Sequence, residues 1–218
     1  MDTVNNTDSK SIIISIRPSD PVFSINWNLS RRCNYDCMYC PSRLHDDHSP
    51  HLTLDQLQRY WIDVEKKTSH QGLKYKISFS GGEVTGNRDF LPFLSWLKQH
   101  HGPQIHKILL TTNGSATYKH YQKLFDLVDN ISFSTHSEHM DEQKFFDTVI
   151  HLRETIPASK FIHVNIMDEF WNRERIPLYQ KLLTAHDISH SVNEIDYSWQ
   201  TRNYPIIKGK KNLAFNQS

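Results

Sequence analysis

Apolar and polar positions along this chain switch between two periods. The run Lys74-Tyr75-Lys76-Ile77-Ser78-Phe79-Ser80 alternates with period two and is rich in aromatic and β-branched residues, which predicts a strand over 75–80. Strands are also predicted over 22–29, 106–112, 130–135, 160–167 and 192–197. Helical stretches lie between them, at 53–67, 89–101, 117–127, 140–155 and 173–186. Thr53 with Gln56 has the form of a capping box, and Asp89, Pro92 and Gly102 bracket the second helix. Pro177 is expected to bend or interrupt the last one. Phe90, Phe93, Leu94 and Leu97 share a helical face and belong to the core. Strands alternating with helices imply parallel βαβ units of an α/β protein. Six strands and five intervening helices leave two architectures open, an open doubly wound sheet and an incomplete barrel. In both, the site lies at the C-terminal ends of the strands.

The flanks read differently. Residues 1–21 are expected to be a flexible N-terminal segment, because 1–10 are polar and the apolar run 11–16 is too short for a signal-peptide core. Residues 22–197 form one core domain, and 198–218 are a polar tail in which Lys208, Lys210 and Lys211 are solvated. Net charge changes little: 25 basic residues face 24 acidic ones, for a formal charge of +1. That gives no electrostatic reason to expect nucleic acid or an anionic membrane as a partner. No apolar run is long enough to span a bilayer. A cytoplasmic chain is expected, with most of its 14 histidines at the surface.

The candidate chemistry is concentrated in one loop. All three cysteines, Cys33, Cys37 and Cys40, fall within eight residues. An odd count in one short segment argues against a disulfide framework. Three readings remain. The thiols are unrelated buried groups, or they bind zinc with a fourth ligand from His45, His48 or His51. In the third, they hold three irons of a cubane cluster and leave one iron open to a small molecule. About forty residues on, the strand 75–80 runs into Gly81-Gly82-Glu83. Paired glycines let backbone approach a ligand closely, and a carboxylate beyond a strand end can accept from an ammonium group.

With both motifs in view, the sequence resembles the radical S-adenosylmethionine (SAM) enzymes over about residues 23–197. Cys33, Cys37 and Cys40 match that family's cluster motif, and Ser80-Gly81-Gly82-Glu83 matches its SAM motif. Val84 and Thr85 stand where many members have proline next. The resemblance implies a partial (β/α)6 TIM-like barrel with parallel strands. Its implied cofactors are a 4Fe-4S cluster, ligated by the three cysteines, and S-adenosyl-L-methionine. It implies that Tyr39 packs near the adenine, and that Gly81, Gly82 and Glu83 hold the methionine amino group. Asn113, Ser134 and Asn165, at strand ends, are placed as further cofactor contacts, and His136 as a substrate contact or proton donor. Thr112 ends the same strand as Asn113, while Arg43 and His45 follow the cysteine loop and are assigned to solvent. The implied reaction is reductive cleavage of SAM to a 5′-deoxyadenosyl radical, which takes hydrogen from a substrate carbon. The implied partners are a small-molecule substrate (a metabolite, nucleotide or sugar) and an external flavodoxin- or ferredoxin-like electron donor. A protein substrate, as for glycyl-radical activases, is the alternative within enzymes. A zinc-binding interaction module is the alternative outside them.

Overall fold

The computed structural model describes residues 13–20 and 22–195. Its strands are β1 (Ile13–Asp20), β2 (Val22–Asn28), β3 (Lys74–Ser80), β4 (Ile105–Thr112), β5 (Asn130–Ser134), β6 (Phe161–Asp168) and β7 (Ser189–Glu194). The helices are α1 (Leu54–Thr68), α2 (Phe90–His101), α3 (Tyr118–Phe125), α4 (Glu142–Thr155) and α5 (Ile176–Ala185).

One seven-stranded sheet runs in the order β1 to β7. β1 is antiparallel to β2, and every later neighbouring pair is parallel. This order separates the two architectures that the sequence leaves open. A doubly wound sheet reverses its strand order, which puts helices on both faces. Here each crossover advances to the next strand, and right-handed crossovers in one direction put every helix on the same face. The sheet is therefore of the barrel type, and since β1 and β7 do not pair with each other it is a partial (β/α)6 barrel.

The helix-covered, convex face carries the core. Ile25, Trp27, Ile77, Phe79, Ile108, Leu110, Phe133 and Val164 are buried there, among Leu57, Trp61, Phe93, Leu97, Tyr121 and Leu152 of the helices. Alternation sends the other residues to the concave face, where Ser24, Asn28, Lys76, Ser78, Ser80, Ser132 and Asn165 are only partly buried. One face of the sheet is thus apolar and packed, the other polar and open.

Local signals explain most boundaries. Thr53 Oγ1 accepts from Gln56 N–H, and Gln56 Oε1 accepts from Thr53 N–H, so the capping box forms. Asp89 does not cap α2; its carboxylate accepts from Leu54 N–H at the start of α1. Pro177 sits in the first turn of α5, after a short 3-10 turn at Arg173–Arg175, where its lack of an N–H costs nothing. Two results depart from the sequence reading. β1 occupies part of the stretch expected to be flexible, because it pairs with β2 as a hairpin edge. β7 begins at Ser189, three residues early, because pairing with β6 decides its start and Ser189 and Ser191 face the polar side. The tail lysines lie outside the described residues. Among the described residues no helix is long and apolar enough to cross a membrane.

Candidate functional site

The cysteine loop leaves the C-terminal end of β2 and is pinned at both ends. Leu29 N–H donates to Ser80 O (2.9 Å), Gly82 N–H to Ser30 O (2.7 Å) and Glu83 N–H to Arg32 O (2.9 Å). Cys33 N–H donates to Asp46 O and Asp46 N–H to Arg31 O, while Arg31 and Asp46 form a 2.8 Å ion pair. The Gly-Gly segment therefore runs against the first residues of the loop like an added strand. Only glycine fits there: Gly81 has φ +134°, and a Cβ on Gly82 would stand 1.9 Å from Arg32 O.

Cys33, Cys37 and Cys40 are free thiols. They line one cavity of about 310 Å³ together with Tyr39, Gly81, Gly82, Asn113, Ser134 and His136. Asn165 sits one strand further on, its amide donating to Ser134 Oγ at 3.3 Å. Burial pushes the Cys37 thiol well up, and Cys33 also rises, so in the metal-free chain both are protonated at neutral pH. Ligation by a cation would release those protons.

Glu83 is buried, and its carboxylate is already bonded. Oε1 accepts from Thr85 N–H, Thr85 Oγ1 and Thr112 Oγ1, and Oε2 accepts from Asn113 N–H at 2.6 Å. The carboxylate that the motif offers to an ammonium group is here bonded to the chain's own donors. Its visible effect is to lock the glycine loop to the end of β4. Asn113, so held, extends its amide to Asn34 Oδ1 (3.0 Å) and toward Cys33 Sγ (3.8 Å).

A second network was not legible in the sequence. Tyr39 stacks on His136, with centroids 6.0 Å apart, and its hydroxyl is hydrogen-bonded to His136 Nδ1. That hydroxyl donates to Glu169 Oε1 at 3.1 Å, and His136 Nδ1 lies 3.6 Å from Cys37 Sγ. Glu169 has no exposed surface. Its Oε2 accepts from Ser137 N–H and Oγ, and Trp171 Nε1 donates to Ser137 Oγ. Glu138 accepts from Met38 N–H at 2.9 Å. Cys37, Met38 and Tyr39 form a small apolar cluster with Met167, Phe170 and Trp171. The cysteine loop is thereby tied to the loops after β5 and β6. Neither Glu169 nor Glu138 belongs to a motif or a periodic face, so only proximity in space reveals them.

The electrostatics of this network give a test. Burial raises the Glu169 carboxyl to about 7, despite the Ser137 and Tyr39 hydrogen bonds that oppose the rise. A raised carboxyl binds its proton more tightly in the folded state. The stability it contributes is full below about pH 4.5 and is lost as pH rises to about 7. Burial lowers His136 to about 4, and its contribution runs the other way, lost as pH falls below about 6.5. In Glu169→Gln the histidine slope stands unopposed. Thermal unfolding of the metal-free chain should show the wild type gaining about 3 kcal/mol on the variant between pH 7 and pH 4.5. A difference between the two that does not change with pH would refute this.

The donor set fits a cluster better than a single ion. Ligands of one ion crowd together, yet the three thiols do not all lie within 4.8 Å of one another; the described trio that does is Cys37, Glu138 and His139. The histidines considered as a fourth zinc ligand are scattered. His45 is buried at the cavity, its Nδ1 3.6 Å from Asp36, whereas His48 is exposed and His51 lies beside Gly86. Arg43 is exposed as expected, but His45, also assigned to solvent, is not. Three thiols lining one open cavity together with the two glycines suit a cubane with one accessible iron.

The comparisons agree. The profile described as Radical SAM superfamily matches residues 27–166. A GTP 3′,8-cyclase of Staphylococcus carnosus is 33% identical over 109 residues, 49% of this chain and 31% of the relative. An S-adenosylmethionine-dependent nucleotide dehydratase of Selenomonas ruminantium is 33% identical over 93 residues, 43% of this chain and 30% of the relative. The matched region is thus about a third of the length of these relatives. The crystal structure of Streptococcus suis SuiB bound to precursor peptide SuiA superposes with a TM-score of 0.59 at 16% identity, covering 81% of this chain and 41% of that one, and so shares the fold. A matched profile over more than half of the chain, on a partial barrel with this cavity at its rim, makes the chain a member of the radical SAM superfamily, whose enzymes use a 4Fe-4S cluster and S-adenosylmethionine.

Proposed function

We propose that Cys33, Cys37 and Cys40 hold three irons of a 4Fe-4S cluster, and that the chain cleaves S-adenosylmethionine reductively to attack a small, polar substrate. The observation that carries this reading is the shared cavity of the three cysteines and the Gly81-Gly82 backbone. When bound, the cluster and SAM supply a 5′-deoxyadenosyl radical able to take hydrogen from a substrate carbon. The chain's own residues bind and orient. The Gly81 and Gly82 backbone gives close access to the methionine end, and Glu83 keeps that backbone in place through Thr112 and Asn113. Ser134, Asn165 and Asn113 offer hydrogen bonds to the ribose and carboxylate. Tyr39 and His136 form the wall between cofactor and substrate. Among small substrates the nucleotide class is favoured, since two relatives are named for reactions of nucleotides. An external flavodoxin- or ferredoxin-like protein is proposed as the electron donor.

Anaerobic reconstitution with iron and sulfide tests this. The product should be brown, with a broad band near ~400 nm. With dithionite and SAM it should release methionine and 5′-deoxyadenosine, faster in the presence of the right nucleotide. Colourless protein holding one zinc would overturn the reading, and stimulation by a protein extract rather than by nucleotides would redirect the substrate class.

A further inference from the structure

The concave face of the sheet is unusual for a barrel interior. Such interiors are packed with bulky branched side chains. Here the row nearest the cysteine rim is Asn28, Ser80, Thr111, Ser132 and His163, continued above by Ser134 and Asn165. Ser80, Thr111 and Ser134 also line the cysteine cavity, so wall and cavity are one continuous surface. His163 is held there by Ser189 Oγ (2.9 Å) and Ser191 Oγ (3.0 Å). By the alternation of the strands, no aspartate or glutamate of β2 to β7 points to this face among the described residues.

Two positive charges lie deeper on the same wall. Lys76 of β3 and Lys107 of β4 are register partners. Lys107 is exposed and Lys76 half-buried, and neither has an ion pair among the described residues. Like charges directly opposite on adjacent strands repel, and an anion between them would relieve that repulsion. Lys76 is four residues below Ser80, which puts the pair about 13 Å from the cysteine rim. That separation suits a ribose with its base or reacting carbon at the rim and a phosphate chain pointing inward.

We propose that Lys76 and Lys107 form an anion subsite on the concave wall, which takes the phosphate end of the substrate and so selects phosphorylated, hydroxyl-rich molecules. The inference rests on the proposed SAM cleavage, since that reaction fixes which end of the substrate lies at the rim. The wall's serines and asparagines meet the sugar hydroxyls, and among the described residues of β2 to β7 no carboxylate on this face opposes the anion. Because the lysines are partly solvated, binding should weaken as salt rises.

The test is calorimetric binding to the full chain, cluster-loaded and with SAM, alongside SAM cleavage by the same wild-type preparation. The probes are the four ribonucleoside triphosphates, ribose 5-phosphate and inorganic triphosphate. At least one should bind, and Lys76→Gln/Lys107→Gln should weaken it tenfold or more. Lys76→Arg/Lys107→Arg should keep it, which separates lost charge from damaged folding. Lys66→Gln/Lys67→Gln, at the end of α1, should bind like wild type. Tighter binding of nucleotides than of ribose 5-phosphate would support a nucleotide, and the reverse order a sugar phosphate; both support the subsite. If wild type cleaves SAM but binds none of the probes, or if the α1 variant loses as much affinity, the subsite is wrong and the SAM reading stands. If wild type does not cleave SAM, both fall.

Discussion

Replacing Cys33, Cys37 and Cys40 together by alanine is expected to abolish both the iron–sulfur absorbance and the release of 5′-deoxyadenosine. The chain has no other cysteine to substitute for them. The remaining metal-binding side chains at the rim are the wrong kind: soft thiolates select iron–sulfur clusters, whereas the carboxylates and imidazoles of Glu138, His139 and His136 do not hold a cubane. Each single replacement should lower iron content and reduce cleavage to background, because losing one of three ligands exposes a second iron. The fold should survive. Cys37 and Cys40 belong to a small cluster at the rim, and none of the three cysteines is part of the core beneath the helices. Iron analysis, the absorbance spectrum, product release and circular dichroism on the same preparations read all of this. A triple variant that still cleaves SAM would end the proposal.

The second large effect is expected from Gly82→Ala, and it needs no cofactor. A Cβ there would lie 1.9 Å from Arg32 O, 2.4 Å from Arg32 C and 2.8 Å from Arg31 O, all backbone atoms that cannot turn aside. Relief requires the glycine segment to part from the cysteine loop, breaking the bonds from Gly82 N–H to Ser30 O and from Glu83 N–H to Arg32 O. Glu83 would then lose its register with Thr112 and Asn113. Overpacking costs about 1–3 kcal/mol by itself, and each broken bond adds on the order of 1 kcal/mol. A fall in melting temperature on the order of 10 °C should follow for a chain of this size. Gly102→Ala is the control, since its Cβ meets nothing within 4 Å and its backbone is ordinary. Equal melting temperatures for the two variants would overturn this steric account of Gly82.

The order of strands and helices was legible because each element carries its own period. Tyr75, Ile77 and Phe79 alternate with polar residues on β3, and Phe90, Phe93, Leu94 and Leu97 share one face of α2. β1 was not legible as a strand, because its partner is the next segment of chain and nothing in an isolated apolar run specifies pairing. The choice between barrel and doubly wound sheet was beyond local pattern too, since both are built from the same βαβ units.

For the site, the short-range part was in the primary structure: three thiols in eight residues, and two glycines followed by a carboxylate. Spacing along one loop is enough to name a donor set, since neighbours in sequence cannot be far apart in space. The direction of the Glu83 carboxylate, the Tyr39–His136–Glu169 contacts and the pairing of Lys76 with Lys107 belong to the fold. Tyr39 and Glu169 are 130 residues apart and meet only because the loops after β2 and β6 converge on one rim. Such contacts depend on sheet order and register, long-range quantities that periodicity along the chain does not encode.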